Sequence, residues 1–338
     1  MGAMGSLPET FTGPGLVDLQ LNGYAGFDFN GDPASWSADD LHRLRETFAC
    51  RGVLRVFPTF VTDAADRLLA RARRYGELVD ADAALAECFP RVHVEGPFIS
   101  PEEGPRGAHP AAHCSTPEDL PDLLDEMLDA AGGRVGIWTI APEVPGAIAW
   151  IERAAAAGVC VAIGHTGADA EALDRAVAAG ATLSTHLGNG SHQLLPRLDN
   201  YLETQLADDR LAAGFIADGH HIPFPTLKNF LRAKGVGRSV LVTDAMSAAE
   251  MPPGRYDLGR RVVEVSPEGV VRQPGSWHLA GSSVTLDRCV VNACLRADVS
   301  FEDAWAMASA VPGRVTNLPA CEPVTVRVRE DGFAAREE

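Results

Sequence analysis

The chain lacks a long uninterrupted apolar run, and it has no basic N-terminal segment followed by an apolar stretch. A membrane helix needs roughly 20 consecutive apolar residues, and a secretory signal needs a basic and then an apolar region. The sequence therefore predicts neither a membrane anchor nor an exported protein. We expect a cytoplasmic protein with no membrane partner.

Paired cysteines and an excess of positive charge are also missing. The seven cysteines are an odd number and include no Cys-x-x-Cys pair, which argues against a zinc knuckle or a redox dithiol. A net charge of -17 disfavours binding to a phosphate backbone, so we expect no nucleic acid partner. The first predicted strand is not followed by G-x-G-x-x-G, which argues against a dinucleotide-binding open sheet.

Short β-rich runs alternate with longer segments of helical periodicity. Several of the runs are almost continuously apolar, as expected for strands that are covered on both faces. Eight such runs predict a (β/α)8 TIM barrel, and a doubly wound open sheet is the main alternative. The runs are residues 15–22, 52–60, 91–98, 134–143, 159–166, 181–189, 211–219 and 239–245.

The predicted barrel spans residues 15–318, with a turn-rich hairpin at 251–283 after the eighth strand. Residues 1–14 are predicted to form an N-terminal arm, and the first six, "MGAMGS", resemble a cloning remnant. Residues 319–338 form a C-terminal tail whose alternating pattern predicts about one strand.

Polar side chains stand near the C-terminal ends of six predicted strands. In a barrel these ends meet at one mouth, where active sites are built, whereas an open sheet would spread them apart. The candidates are Gln20 and Asn22, Glu95, His165, His186, Asp218 with His220 and His221, and Asp244.

Glu95, His165 and His186 form a plausible two-histidine, one-carboxylate set for a catalytic divalent metal, and zinc is the expected ion. For each histidine alone, a hydrogen bond to a neighbouring carbonyl is the simpler interpretation. A metal in such a site lowers the pKa of water and polarises a carbonyl, which are the two needs of amide hydrolysis. Asp244 in "LVTDA" is the candidate proton carrier, and a strand-end carboxylate or helix cap is the alternative.

Seven ordered motifs resemble those of the N-acetylglucosamine-6-phosphate deacetylases in the amidohydrolase superfamily, from about Gly13 to Leu318. The resemblance implies a metal-dependent hydrolase that removes an N-acetyl group from an amino-sugar phosphate and releases acetate and the free amine. It places the metal ligands on Glu95, His165 and His186. The motifs are "GLVDLQLNGYAGFDFN", "HVEGPFISPEEGPRGAHP", "IGHTGA", "STHLGNG", "FIADGHH", "LVTDAMSA" and "LAGSSVTL".

The resemblance also implies the remaining chemistry. It makes Asp244 the catalytic acid/base and gives His109 a role in orienting or polarising the scissile carbonyl. Many amidohydrolases hold a second metal with His-x-His on the first strand. Gln20 and Asn22 stand there in this chain, similar to the single-metal branch, so we expect one Zn2+ per subunit.

The same resemblance implies contacts to a small-molecule amino-sugar substrate. It also implies that the protein forms a homodimer. For the phosphate it implies the backbone amides of Asn189 and Gly190, the guanidinium of Arg197 and the imidazole of His221. A guanidinium and peptide N–H groups suit a phosphate dianion. The other implied contacts are Ala108, His220, Leu279, Ala280 and Gly281.

The chain departs from the family pattern in three places. "EEGPRGAHP" lacks the usual lysines, and "LGNGSHQLLPRLDN" carries smaller residues after His186. Only 14 residues precede Gly15, so the small β-sandwich domain of the family is expected to be reduced or absent. Two alternatives therefore stay open: an amidohydrolase for another N-acyl substrate, such as an unphosphorylated amino sugar or a biosynthetic intermediate, and a catalytically silent sugar-binding barrel.

Overall fold

The computed structural model describes residues 6–276 and 278–335. Most of the suggested cloning remnant and the last three residues of the chain lie outside these ranges. The strands are β1 Thr10–Pro14, β2 Leu16–Leu21, β3 Gly23–Tyr24, β4 Phe27–Asp28, β5 Val53–Val61, β6 Val92–Glu95, β7 Val135–Ile140, β8 Cys160–Ile163, β9 Ala181–Ser184, β10 Ala212–Ile216, β11 Ser239–Val242, β12 Gly254–Leu258, β13 Arg261–Val265, β14 Val271–Arg272, β15 Pro323–Arg329 and β16 Gly332–Ala335.

Eight parallel strands form one sheet in the order β11-β10-β9-β8-β7-β6-β5-β2. The edge strands β2 and β11 come together just past their ends: the backbone N–H of Asp244 donates to the carbonyl of Gln20 at 2.9 Å, and the N–H of Asn22 donates to the carbonyl of Ala245 at 2.7 Å. These bonds nearly close the sheet. The predicted barrel is confirmed: seven of its strands lie within a predicted run, and β5 extends one residue beyond the run 52–60.

Helices follow most of the barrel strands and cover the sheet. Ser37 begins the first helix with a capping box, because its side chain and that of Asp40 satisfy each other's backbone N–H groups. None of the helices in the described part of the chain has the length and apolar character needed to cross a membrane. The helices are α1 Ala38–Ala49, α2 Ala65–Asp80, α3 Ala83–Cys88, α4 Leu123–Ala130, α5 Ala147–Ala156, α6 Ala170–Ala178, α7 Tyr201–Ala207, α8 Phe224–Lys234, α9 Leu286–Ala297, α10 Phe301–Met307 and α11 Ala310–Val315.

A three-stranded antiparallel sheet joins the two ends of the chain. Strand β1 pairs with β15, and β15 pairs with β16. The C-terminal tail therefore contributes two strands where the sequence predicted one, because the turn between β15 and β16 folds the last residues back onto β15. This small sheet is consistent with a reduced β-sandwich domain.

Trp305 of α10 joins the small sheet to the barrel. Its ring stacks on Phe333 of β16 with centroids 5.4 Å apart and lies 4.8 Å from Phe11 of β1. Its indole N–H donates to the carbonyl of Pro14 at 2.9 Å. Because this side chain is only 2% exposed, the sheet and the barrel share part of one apolar core.

We expect Trp305→Ala to lower the free energy of unfolding by about 3 to 5 kcal/mol, as for other buried aromatic truncations. The substitution removes the stacking with Phe333 and leaves a cavity beneath the small sheet. Denaturant unfolding measures the change. Val262→Ala is a suitable control, because Val262 is 47% exposed and its truncation should change stability by less than about 0.5 kcal/mol. Equal stability of both variants would show that the small sheet does not depend on this contact.

Strands β12, β13 and β14 form a separate antiparallel sheet, in the region predicted to be a turn-rich hairpin. It follows β11 along the chain and returns to the barrel through Ser282, whose carbonyl accepts from the N–H of Met246 at 3.0 Å. Leu258, Arg261 and Arg272 of this sheet reach the cavity at the barrel mouth.

Candidate active site

A cavity of about 280 Å³ opens at the C-terminal end of the barrel strands. Most of the predicted site residues meet there, which an open sheet would not allow. Those that line it are Asn22, Glu95, Ala108, His109, His165, His186, Asn189, Gly190, His221, Asp244, Leu279, Ala280 and Gly281.

The candidate metal ligands make one compact buried cluster. Glu95 is the last residue of β6, and His165 and His186 each stand two residues beyond the end of β8 and β9. Oε1 of Glu95 lies 3.1 Å from Nε2 of His165 and 2.8 Å from Nε2 of His186, and the two Nε2 atoms are 3.2 Å apart. Three donor atoms from three strands therefore converge on one point.

The protonation of His165 shows that this convergence suits a cation. Its Nδ1 lies 2.8 Å from the carbonyl of Pro105, and since a carbonyl can only accept, Nδ1 carries the proton. In the neutral ring the lone pair of Nε2 then faces Glu95 and His186. His109 adds a further donor, because ligand atoms of Glu95, His109 and His165 all lie within 4.8 Å of one another. Carboxylate and imidazole donors in this arrangement fit a divalent metal.

The two buried carboxyl groups of the site have opposite pKa shifts. Burial opposes the ionisation of Glu95, but the neighbouring imidazoles of His165 and His186 hold its pKa well below the ordinary value. Burial raises the pKa of Asp244 to about 6, and the nearby charge of Glu95 acts in the same direction. Glu95 is therefore suited to ligation, and Asp244 to proton exchange near neutral pH.

Three of these residues have backbone angles in the left-handed region, where non-glycine residues are uncommon. The φ values are 51° for His165, 26° for His186 and 49° for Asp244. Such conformations cost of the order of 1 to 3 kcal/mol each and concentrate at functional sites. The turn immediately after each strand thus holds the side chain over the barrel mouth at the expense of stability.

The first-strand amides lie where a second metal would be held by His-x-His. Nδ2 of Asn22 donates to Oδ1 of Asp244 at 2.7 Å, and Nε2 of Gln20 donates to Glu95 at 3.0 Å and to Asp244 at 3.2 Å. Because N–H groups of the two amides face the carboxylates, Gln20 and Asn22 orient the two acidic side chains.

Asn22→Ala should lower kcat by about 10- to 100-fold, the usual effect of removing a hydrogen-bond partner of a site residue, with unchanged metal content. The substitution frees the carboxylate of Asp244 to rotate away from the substrate. Kinetics and metal analysis on the same preparation test this expectation. Unchanged kcat, or a loss of activity explained by lost metal, would contradict a positioning role for Asn22.

The three other predicted histidines, His109, His220 and His221, differ in their distance from the centre of the cavity. His221 lines the cavity, and its Nδ1 is held 2.6 Å from the carboxylate of Asp218. His220 lies outside the lining and donates through Nε2 to the carbonyl of Glu268 at 3.1 Å. His109 stands at the centre, with its ring 4.3 Å from that of His165.

The structure does not bring Arg197 to the cavity of its own chain. Its side chain is exposed and is not among the lining residues. Arg261, Arg272 and His278 line the cavity instead. These three residues were not predicted from the sequence, because they come from the turn-rich region after β11, whose pattern does not show which side chains fold back over the mouth.

Comparisons with known proteins agree with this geometry. No protein-family model matches the chain. The human N-acetylglucosamine-6-phosphate deacetylase is 35% identical over an alignment of 319 residues that covers 90% of this chain and 74% of the human protein. The N-acetylgalactosamine-6-phosphate deacetylase of Escherichia coli O157:H7 is 32% identical over 90% of this chain and 78% of its own length.

A solved structure extends the comparison to the fold. A mutant of the N-acetyl-D-glucosamine-6-phosphate deacetylase from Mycobacterium smegmatis, in complex with N-acetyl-D-glucosamine-6-phosphate, superposes with a TM-score of 0.85 at 28% identity, covering 97% of this chain and 87% of that one. The barrel and its polar cluster define a hydrolase of the amidohydrolase superfamily, which acts on carbon–nitrogen bonds other than peptide bonds. The chain belongs to the N-acetylglucosamine-6-phosphate deacetylase family.

Proposed function

We propose that this protein removes the N-acetyl group from an amino-sugar phosphate such as N-acetylglucosamine 6-phosphate, releasing acetate and the free amine. The observation that carries the proposal is the meeting of Glu95, His165 and His186 with Asp244 at the barrel mouth. Those residues would hold a cation beside a proton carrier, which amide hydrolysis requires. The named relatives act on phosphorylated N-acetyl amino sugars.

Glu95, His165 and His186 would hold one divalent ion per subunit, and we propose zinc. When bound, such an ion lowers the pKa of water and polarises a carbonyl oxygen. Asp244 takes the proton from the attacking water, whose oxygen bonds to the acetyl carbon. Asp244 then delivers the proton to the sugar nitrogen as the carbon–nitrogen bond breaks. We propose that His109 orients the acetyl carbonyl and that Asn22 holds Asp244 in position.

The substrate is proposed to lie between the strand ends and the segment Leu279–Gly281. The backbone N–H of Gly190 is suited to a phosphate, whereas that of Asn189 donates to the carbonyl of His186 at 3.0 Å and would have to exchange this bond for one to the phosphate. His221 adds an imidazole that is held by Asp218. It follows β10, the strand next to β9. A phosphorylated amino sugar is also consistent with the proposed cytoplasmic location. We also propose that the protein forms a homodimer, and its molar mass in solution tests this.

A second candidate is hydrolysis of a different N-acyl substrate by the same residues. The observation that favours it is the exposed position of Arg197, the guanidinium that the resemblance assigns to the phosphate. Without Arg197, the cavity of this chain lacks one of the phosphate contacts that the resemblance implies, so an unphosphorylated N-acyl substrate would lose less binding here.

Acetate release by zinc-loaded protein tests the proposal. The substrates are N-acetylglucosamine 6-phosphate, N-acetylgalactosamine 6-phosphate and unphosphorylated N-acetylglucosamine at equal concentration. We expect turnover of at least one phosphate ester, with much lower kcat/KM for the unphosphorylated sugar. Comparable turnover with and without the phosphate would favour the second candidate. No release from any of the three by a fully metallated enzyme would refute the proposed substrate class.

A further inference from the structure

A second cavity of about 260 Å³ adjoins the active-site cavity. The two cavities share Val61, Leu258 and Arg261 in their walls. Apart from these, the second cavity is notable for its basic side chains, and we call it the arginine cleft. Its charged and titratable lining residues are Asp63, Arg67, Arg71, His113, Arg260 and Arg261.

The positive charge of the arginine cleft is only partly neutralised. Asp63 accepts from Nε of Arg67 at 2.7 Å and from Nη2 of Arg71 at 2.7 Å. The side chains of Arg260 and Arg261 make no hydrogen bond or ion pair with residues in the described ranges. A local excess of positive charge thus persists beside the active site of a chain whose net charge is -17.

Two guanidinium nitrogens at the arginine cleft are enclosed without an acceptor in the described structure. They are Nη1 of Arg71 and Nη1 of Arg261. Arg71 is otherwise well paired, since its Nη2 also donates to the carbonyl of Asn30 at 2.6 Å. Buried charged donors are unfavourable without an acceptor, and guanidinium groups pair in a bidentate manner with phosphate or carboxylate. The other guanidinium nitrogens of Arg261 are not enclosed and also have no acceptor in the described structure, so they are the donors open to a ligand oxyanion.

The arginine cleft lies away from the proposed phosphate contacts. Asp63 follows β5, whereas Asn189 and Gly190 follow β9. In the circular order of the barrel, β5 and β9 stand four places apart among eight strands, on opposite sides of the mouth. An oxyanion in the arginine cleft is therefore distinct from one bound at Asn189 and Gly190, and the metal cluster lies between them.

We propose that the arginine cleft binds a second oxyanion of the substrate, a phosphate or a carboxylate at the end of the amino sugar remote from Asn189 and Gly190. This rests on the proposed function, because the rest of the substrate occupies the active-site cavity. Arg261 borders both cavities and contacts the second oxyanion. The substrate class is an N-acyl amino-sugar phosphate with a second acidic substituent.

Binding of inorganic phosphate tests the anion site without any turnover. Phosphate is titrated calorimetrically into zinc-loaded enzyme, alone and saturated with glucosamine 6-phosphate, which fills the active-site cavity. One phosphate should still bind in the presence of the sugar, and Arg261→Gln should weaken this binding by about tenfold or more. Arg73→Gln is the matched control, because Arg73 is exposed on the same helix as Arg67 and Arg71 and lines neither cavity.

The opposite results overturn the anion site. They are the absence of phosphate binding beside glucosamine 6-phosphate, or binding that Arg261→Gln leaves unchanged. Arg260→Gln provides a second variant if Arg261→Gln does not fold, since Arg260 is an exposed residue of the cleft. We expect this second variant to weaken phosphate binding in the same direction.

Substrate preference distinguishes the source of the oxyanion. N-acetylglucosamine 1,6-bisphosphate supplies a second phosphate, and N-acetylmuramic acid 6-phosphate supplies a carboxylate. One of them should exceed N-acetylglucosamine 6-phosphate in kcat/KM by about tenfold, and Arg261→Gln should remove that preference. Phosphate binding without any such preference would show that the cleft takes a free anion, so that the assignment to the substrate is wrong. No acetate from any compound, with phosphate binding intact, would instead refute the deacetylase function.

Discussion

Asp244→Asn should reduce kcat by about 10²- to 10⁴-fold, the range expected when a general acid/base is lost. The amide cannot take a proton from water or return one to the sugar nitrogen. Its shape is nearly that of the carboxylate, so Oδ1 still accepts the hydrogen bonds that Asn22 and Gln20 donate to Asp244. The loss should therefore come from chemistry and leave the surrounding structure in place.

Acetate release and metal content of the same Asp244→Asn preparation check this expectation. The metal should stay at one ion per chain, and the melting temperature should remain close to that of the parent protein. Asp209→Asn is a suitable control, because the side chain of Asp209 is 79% exposed and lies outside the cavity lining. Full activity of properly metallated Asp244→Asn would remove Asp244 from the mechanism.

Glu95→Gln has the second large expected effect, on the metal itself. Oε1 of Glu95 lies within 3.1 Å of Nε2 of both His165 and His186, and its negative charge is the part of the cluster that the substitution removes. We expect the metal affinity to fall by more than about 100-fold, which exceeds the loss seen for partners outside the ligand set. Acetate release should disappear with the metal.

Equilibrium dialysis against a chelator measures the affinity for zinc directly. Zinc should raise the melting temperature of the parent protein, because a ligand that binds only the folded state stabilises it. The same zinc concentration should have little effect on Glu95→Gln. Equal zinc affinity and an equal thermal shift in the two proteins would show that Glu95 is not a metal ligand.

The barrel was predictable because its strands are encoded locally. Runs such as 134–143 and 211–219 are apolar on both faces and flanked by helical periodicity, a pattern typical of parallel strands under helices. Most of the observed strands are shorter than the runs; β7, for example, covers Val135–Ile140 and β10 covers Ala212–Ile216. The extra residues form the loops at the strand ends, where the hydrophobic pattern continues but the hydrogen bonding does not.

The centre of the site was predictable for the same reason. Glu95, His165, His186 and Asp244 stand at strand ends or two residues beyond them, so strand assignment alone places them at one mouth. The left-handed backbone at three of them left no mark in the sequence, because histidine and aspartate carry no local signal comparable to glycine.

The periphery of the site required the tertiary structure. The resemblance assigned a phosphate contact to Arg197, which is exposed, and it assigned no role to Arg261, which lines the cavity. Both belong to irregular segments, whose direction depends on contacts with distant parts of the chain and not on a repeating backbone pattern.

The sequence by itself determined the class of fold and the meeting of Glu95, His165, His186 and Asp244 at the barrel mouth, because apolar periodicity and strand-end polar residues are local properties that a barrel converts into proximity. Only the tertiary structure decided which loops cover the mouth, how Asn22 and Gln20 restrain the two carboxylates, and that arginines far apart in sequence, such as Arg71 and Arg261, meet in one cleft. These features depend on long-range packing, in which residues separated by nearly 200 positions become neighbours only once the barrel has closed.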